Sequence, residues 1–399
     1  MKKFINKTYD YFFAALLLLF PFSNSLPNIV IAILVTLFII DYKRIDLTKL
    51  KNTPAILLYV FFAYIFSKAV ITQSLFTEWN IYKKYIIILI LPILFTKVKN
   101  VTLLKVSTVI SIVATVIVSL ALIAKYYFET SLLPFHDGEM VNKLLVLERP
   151  YAGFYAVAGV FISLGLIRSL PRYKIALIVN VLLLVFFIIL IAARISFVSL
   201  IIALGLYVLF YYKISGLKKA GIILCSVIAI AVVFSINKNI AERFFIKSSL
   251  EEAIKASDFE ARLVIWPCAY NMAQNNDFNV LFGYPSHAVI INNFVDCYTH
   301  TIKGNDSKKA YFIETKFNSH NQFIDSYLSS GSIGLILFLS FFISLFFKVR
   351  FSFCDVALLI ALILFLLVEN VLHRQTGCYI FSIFTALLLM RNTNVNDEN

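Results

Sequence analysis

The chain has 399 residues, of which 60% are hydrophobic, with a mean hydropathy of +0.86 and a formal net charge of +14. Soluble domains sit nearer about 45–50% apolar, so this composition excludes a soluble globular fold. Continuous, helix-length apolar runs in place of short alternating strands exclude a β-barrel. Lys and Arg collect in the cytoplasmic loops of membrane proteins, so the charge reads as topology and not as nucleic-acid binding.

In chain order, the first expected spans are Tyr11–Phe22 and Pro27–Ile40, joined by a turn at Ser23–Leu26. No small-residue cleavage site follows Leu16–Phe20, so the first span is expected to stay in place. A basic loop with Lys43, Arg44, Lys49 and Lys51 leads to Pro54–Ile71 and Ile81–Phe95. Lys97, Lys99 and Lys105 precede a fifth span, Val106–Ala124. A polar segment, Lys125–Arg149, leads to a sixth, Tyr151–Ile167.

The stretch Ile175–Tyr212 is apolar except for Arg194 near its middle. As one helix it would be about 57 Å long, nearly twice a hydrocarbon core of about 30 Å. Basic residues flank both ends (Arg172 and Lys174, then Lys213, Lys218 and Lys219), and both flanks belong on the same side. The stretch is therefore a hairpin of two spans with Arg194 at its far turn, on the non-cytoplasmic surface.

A ninth span, Ala220–Ile236, precedes a polar loop, 237–318, with nine basic and nine acidic residues. This near-neutral loop belongs on the non-cytoplasmic side. Within it, Ser257–Glu260 reads as a capping box, with Phe259, Leu263, Trp266 and Tyr270 on one apolar face. Pro267 is expected to kink that helix or end its regular part. Ile240–Ala256 is a second amphipathic candidate, and Leu281–Pro285 reads as a turn. Spans Phe323–Phe347, Phe353–Leu372 and Thr376–Met390 follow, and the tail 392–399 is expected to be disordered. Cys268 and Cys297 both lie in the loop, open either to a disulfide or to two separate thiols. The fold class is thus an all-α polytopic membrane protein with about 12 transmembrane helices. Its units are 1–236, nine helices; 237–320, the loop; 321–391, three helices; and the tail.

The spans carry almost no charge, which argues against a charge relay through the midplane. Lys68 can snorkel from its span end, and Glu369 sits late in the eleventh span. The ionisable candidates gather at the outer surface: Arg149, Arg194, Arg262, His320, His373 and Arg374. Each arginine reads either as an interfacial anchor or as an anion-binding group. Arg262 can also stack on Trp266 one turn later. His320 stands where the loop meets the tenth span, with Asn318 or Ser319 to cap the helix. Histidine at a helix start is favoured in its neutral, proton-accepting form; the bland alternative is a polar residue at a helix end. His136, His287 and His300 lack ligand spacing, so no metal site is expected. No P-loop or Gly-x-Gly-x-x-Gly is present, which removes nucleotide hydrolysis and dinucleotide binding. Gly331 and Gly334 read as packing contacts.

Three short motifs in this order resemble the O-antigen ligase and polymerase superfamily of bacterial envelope glycan assembly. They are Ala192-Ala-Arg194-Ile-Ser, Ala261-Arg262-Leu-Val-Ile-Trp266 with Leu281-Phe-Gly283, and Ser319-His320-Asn321 with Gly331-Ser-Ile-Gly334. Tyr284-Pro285 departs from the pattern, in which a second glycine is usual. The resemblance implies a glycosyltransferase of the inner membrane with both termini cytoplasmic, and with a periplasmic loop and active site. Its donor would be a glycan on undecaprenyl pyrophosphate, and its acceptor lipid A-core or a growing glycan. It implies an inverting mechanism without metal or other cofactor, and no nucleic-acid partner. His320 would be the general base. Arg194 and Arg262, with Arg149, would hold the leaving pyrophosphate, and Trp266, His373 and Arg374 would line the substrate site. A polymerase with the same donor, a protein O-oligosaccharyltransferase and a lipid-linked glycan flippase are the competing readings.

Overall fold

The computed structural model describes residues 2–41, 47–136, 138–212, 215–219, 221 and 261–390. The expected ninth span, the Ile240–Ala256 helix, the capping box at 257–260 and the tail lie outside the described residues. The described residues are helical, without a strand.

The first half contains ten helices: α1 (Lys2–Leu19), α2 (Leu26–Ile40), α3 (Thr53–Ile71), α4 (Ser74–Thr77), α5 (Trp79–Phe95), α6 (Val101–Thr130), α7 (Gly138–Leu144), α8 (Arg149–Ser169), α9 (Lys174–Leu190) and α10 (Arg194–Leu206). Local chemistry sets many of these limits. The Asn52 side chain accepts from the Ala55 amide with Pro54 in the first turn, and Asn100 does the same for Leu103. The α6 helix runs through part of the expected polar segment and stops where Ser131 turns left-handed (φ 57°). The expected hairpin is present: α9 ends at Leu190, Ala192 takes φ 50°, and Arg194 opens α10.

Among the described residues, six helical segments are long and apolar enough to cross a bilayer: 53–71, 101–130, 149–169, 171–190, 194–211 and 322–349. Three more, α2 and two near the C-terminus, are apolar but shorter. Helix α8 is the hub. In it 78% of the apolar window is buried, against 28% for α9, and it packs on α6, α9, α10 and the helix 353–366. Gly153 lets α8 approach α10, since a Cβ there would lie 2.4 Å from Ser196 Oγ. Outer faces are apolar instead of polar: Ile175, Val179, Leu182 and Phe186 form one exposed stripe along α9. Such a stripe is unfavourable in water and suits lipid.

The second half contains α11 (Arg262–Ala273), α12 (His287–Thr301), α13 (Asp306–Thr315), α14 (Gln322–Val349), α15 (Phe353–Leu366) and α16 (Gln375–Leu389). The helices α11–α13 form a small unit with its own core, built on Ile265, Met272, Phe294, Tyr298 and Phe312. Two sequence expectations change here. Helix α11 runs on through Pro267 to Ala273. Its buried face is Val264, Ile265, Cys268, Ala269 and Met272, while Leu263, Trp266 and Tyr270 are exposed. Apolarity alone does not mark the inner face of a helix that sits beside a membrane.

Cys268 and Cys297 form a disulfide that joins α11 to α12 across a sequence separation of 29. Cross-linking a loop of this length restricts the unfolded chain and is worth about 3 kcal/mol. The paired Cys268→Ser and Cys297→Ser substitutions should therefore speed proteolysis within 262–315 and leave the membrane helices protected. Equal digestion rates would show that the bond contributes nothing.

Candidate active site

The α11–α13 unit is held to the bundle by a break in α14. Gly331 has φ 65° and ψ −167°, a conformation open almost only to glycine, so the helix is interrupted in its third turn. The segment 280–284 lies along the gap. Ser332 and Ile333 donate their amides to Val280 and Leu281 carbonyls, and Tyr284 donates to the Leu328 carbonyl. Gly283 (φ 72°) is the reciprocal close approach: a Cβ on it would stand 2.6 Å from the Leu328 oxygen. Gly331 is thus a backbone break and not merely a packing contact. Gly334 does pack, against Ser330 and Tyr64. Tyr284, where the pattern of the motif departs from a glycine, is buried and donates its hydroxyl to the Met272 carbonyl. Lys68 does not snorkel: its Nζ donates to the carbonyls of Tyr284 and Ser329, pinning both sides of the break.

The start of α14 carries His320. The cap is Asn321, whose side chain accepts from the Phe323 and Ile324 amides, and not Asn318 or Ser319 as the sequence suggested. His320 sits just before it in a left-handed turn (φ 44°), fixed by its amide bond to Asn318 Oδ1. Its Nδ1 faces Glu369 Oε2 at 3.6 Å, and the Glu369 residue is 5% exposed. That distance lies just outside hydrogen-bond reach, and such pairs commonly tighten when substrate binds. Asn370, next to Glu369, accepts through Oδ1 from Ser319 Oγ and the Asn321 amide. The turn bearing the carboxylate is therefore tied to the turn bearing the imidazole on both sides of His320.

Arg262 donates through Nη2 to the Val368 carbonyl, beside Glu369. Trp266, one turn further along α11, donates Nε1 to the Ser319 carbonyl, beside His320. Arg374 pairs with Glu148 and lies over the Tyr151 ring, 5.8 Å from its centroid. Arg149 opens α8, two residues before Tyr151. Its Nε and one terminal nitrogen are buried without a hydrogen-bond partner among the described residues, as is the Tyr151 hydroxyl. Arg194 opens α10, whose first turn packs on α8 at Gly153. The N-termini of α8, α10 and α14 thus meet at one end of the bundle. Helix N-termini and guanidiniums both favour anions there.

Behind His320 lies a second polar cluster. Asp325, buried in the first turn of α14, accepts from His373 Nε2 at 2.9 Å, from Asn370 Nδ2 and from Gln322 Nε2. His373 is thus engaged inside the protein instead of lining an open substrate surface. Burial alone would lower the His373 pKa, but Asp325 more than offsets this and raises it. His287, at the start of α12, stacks edge-on to His373 with ring centroids 5.0 Å apart. Burial and the adjacent His373 push His287 down to about 4, so its ring is uncharged at neutral pH.

Sequence reasoning therefore placed His320, Arg149, Arg194, Arg262, Trp266 and Arg374 at one end of the protein, and the fold gathers them there. It missed the pairing of Glu369 with His320 and gave Asp325 and His287 no role. The only sequence signal for these was a carboxylate at a span end and another within the first turn of a span.

Residues 178–339, less than half of the chain, match the family described as O-antigen ligase. The matched segment includes Arg194, Arg262, Trp266, His320 and both glycines of the helix break, and it ends before Glu369. No curated protein sequence matches the chain.

Proposed function

From membership of the O-antigen ligase superfamily, carried by residues 178–339, we propose that the protein is a membrane glycosyltransferase that moves a glycan from a polyprenyl pyrophosphate to an acceptor sugar. The α11–α13 unit and the site beneath it face the periplasm in this reading, with about 12 spans in the inner membrane. The donor is undecaprenyl pyrophosphate-linked glycan and the acceptor is lipid A-core.

The observation that carries the reading is the His320–Glu369 pair, with Arg262 bonded to the carbonyl beside Glu369 and Arg374 a few residues further along the same turn. The acceptor hydroxyl gives its proton to His320 as its oxygen bonds to the anomeric carbon. The bond from that carbon to the pyrophosphate breaks on the opposite face, which inverts the configuration. Glu369 holds the imidazole in the tautomer that accepts the proton and stabilises the imidazolium that results, the division of labour seen in nucleophile–base–acid triads. Arg194, Arg262 and Arg149 take the charge that grows on the departing pyrophosphate. Placed beforehand in a site of low dielectric, guanidiniums can do this without a metal ion.

Purified protein given a polyprenyl-pyrophosphate-linked glycan should glycosylate lipid A-core. Transfer only to a second donor molecule would make it a polymerase, and lipid movement without transfer would make it a flippase. Arg194→Ala should lower kcat about a hundredfold, in the range for loss of one transition-state donor. Arg262→Lys should keep only part of the activity, because it retains the charge but loses the planar fork that reaches Val368. Full activity in both variants would remove the arginines from the mechanism.

A further inference from the structure

We propose that His287, Asp325 and His373 form a binding site for a divalent transition-metal ion, zinc foremost, that staples the α11–α13 unit to two membrane helices. The three residues come from separate parts of the chain: the start of α12, the first turn of α14, and the turn between α15 and α16. One ligand atom from each falls within a group whose members all lie within 4.8 Å of one another. His287 and Asp325 are 6% and 3% exposed, and the His373 side chain 17%.

The donor chemistry suits a borderline cation. Two imidazoles and one carboxylate form the three-ligand set of open zinc sites, and also the set used by non-haem iron. Zinc bonds of about 2.0–2.2 Å require the three donors to draw together by on the order of 1 Å. The His373–Asp325 contact at 2.9 Å is already that close. The outer partners that metal ligands usually need are also present. Asn370 Nδ2 donates to Asp325 Oδ1 at 3.1 Å, and Gln322 Nε2 to Oδ2 at 3.3 Å. His287 also lines a small pocket of mixed polarity with Lys68, Thr72, Ser74 and Tyr82. Lys68 and Lys84 are cations that oppose binding, but both ammoniums are engaged by carbonyls, Lys68 by those of Tyr284 and Ser329 and Lys84 by that of His373. Glu78, which accepts from the Ala288 amide, adds a compensating negative charge.

The bound ion has a positional role. Asn370 bridges Asp325 to Ser319 and Asn321, so the metal lies one hydrogen-bond layer behind His320 and Glu369 and outside the proposed path of the glycan. It holds the turn that carries Glu369, His373 and Arg374 against the loop unit. The site stands or falls on metal binding, whatever the protein transfers.

The test uses full-length protein in detergent and reads metal content by mass spectrometry, with cobalt as a spectroscopic probe. Wild type should retain about one zinc ion per chain after gel filtration, and cobalt should give the visible bands of a low-coordinate site. His287→Gln and His373→Gln should each bind zinc at least roughly tenfold more weakly. His300→Gln, at an exposed site on the same helix as His287, should bind like wild type. A variant that elutes as aggregate is replaced by its partner substitution, and the wild-type measurements need no variant. Wild type that holds neither zinc nor cobalt overturns the proposal. So does binding that survives in both variants, which would mark the ion as adventitious. Metal binding without glycan transfer leaves this site intact and removes only the proposed reaction.

Discussion

Replacing His320 with alanine lowers glycan transfer about a thousandfold, while donor binding and thermal stability stay close to wild type. General acid–base groups contribute roughly a hundredfold to ten-thousandfold, and His320 is the proton acceptor in the proposed reaction. Its Nδ1 lacks a hydrogen-bond partner among the described residues, so removal breaks no hydrogen bond at that atom, though the ring contact with Phe317 is lost. The amide of His320 is tied to Asn318, and alanine keeps that amide. The left-handed turn at φ 44° costs alanine roughly 1 kcal/mol, too little to unfold the protein. Glu369→Gln separates positioning from proton transfer. It should lower kcat with little change in KM and alter the pH profile, because a neutral amide no longer stabilises the imidazolium. Transfer at wild-type rates in His320→Ala would remove the histidine from the reaction. An unchanged pH profile in Glu369→Gln would leave that carboxylate a structural group only.

Gly331→Ala is expected to be strongly destabilising. A Cβ at Gly331 would stand 2.2 Å from the Leu281 oxygen and 2.5 Å from the Phe282 nitrogen, both backbone atoms with no side chain to rotate away. The φ/ψ pair adds strain of about 1–3 kcal/mol for any residue with a side chain. Relief requires the 280–284 segment to leave the gap, which strips partners from the amides of Ser332, Ile333 and Tyr284. Within a membrane each freed group costs further, so a total above about 4 kcal/mol is expected. The measurements are thermal unfolding followed by gel filtration and protease access to the α11–α13 unit. Gly334→Ala is the comparison, since its conflict is with the Ser330 side chain and it needs no left-handed backbone. Equal stability of wild type and Gly331→Ala would show that the gap is not held by this segment.

The hairpin with Arg194 at its tip was legible because the basic flanks and a known bilayer thickness left one solution. The position of His320 was legible because the polar loop meets an apolar span there. Glu369 was visible as a charge at a span end, but its pairing depends on how Asn370 ties two turns together across 49 positions of sequence, which no local pattern records. The buried face of α11 was not legible for a related reason. Leu263, Trp266 and Tyr270 are the more conspicuous stripe, and only the disulfide and the core behind Cys268 reveal that the other side faces inward. His287 and His373 are ordinary by spacing and meet only after the loop returns to the bundle.

The interruption at Gly331 also imposes an order on biosynthesis. The helix that contains it emerges from the ribosome after residues 280–284, so in the proposed topology the chain that must fill its gap has crossed the bilayer first and waits on the far side. Until the two meet, the insertion machinery holds a span with bare amides at depth. A truncated chain made of the last three membrane helices alone would therefore keep that defect permanently, whereas one that begins upstream of Arg262 could repair it.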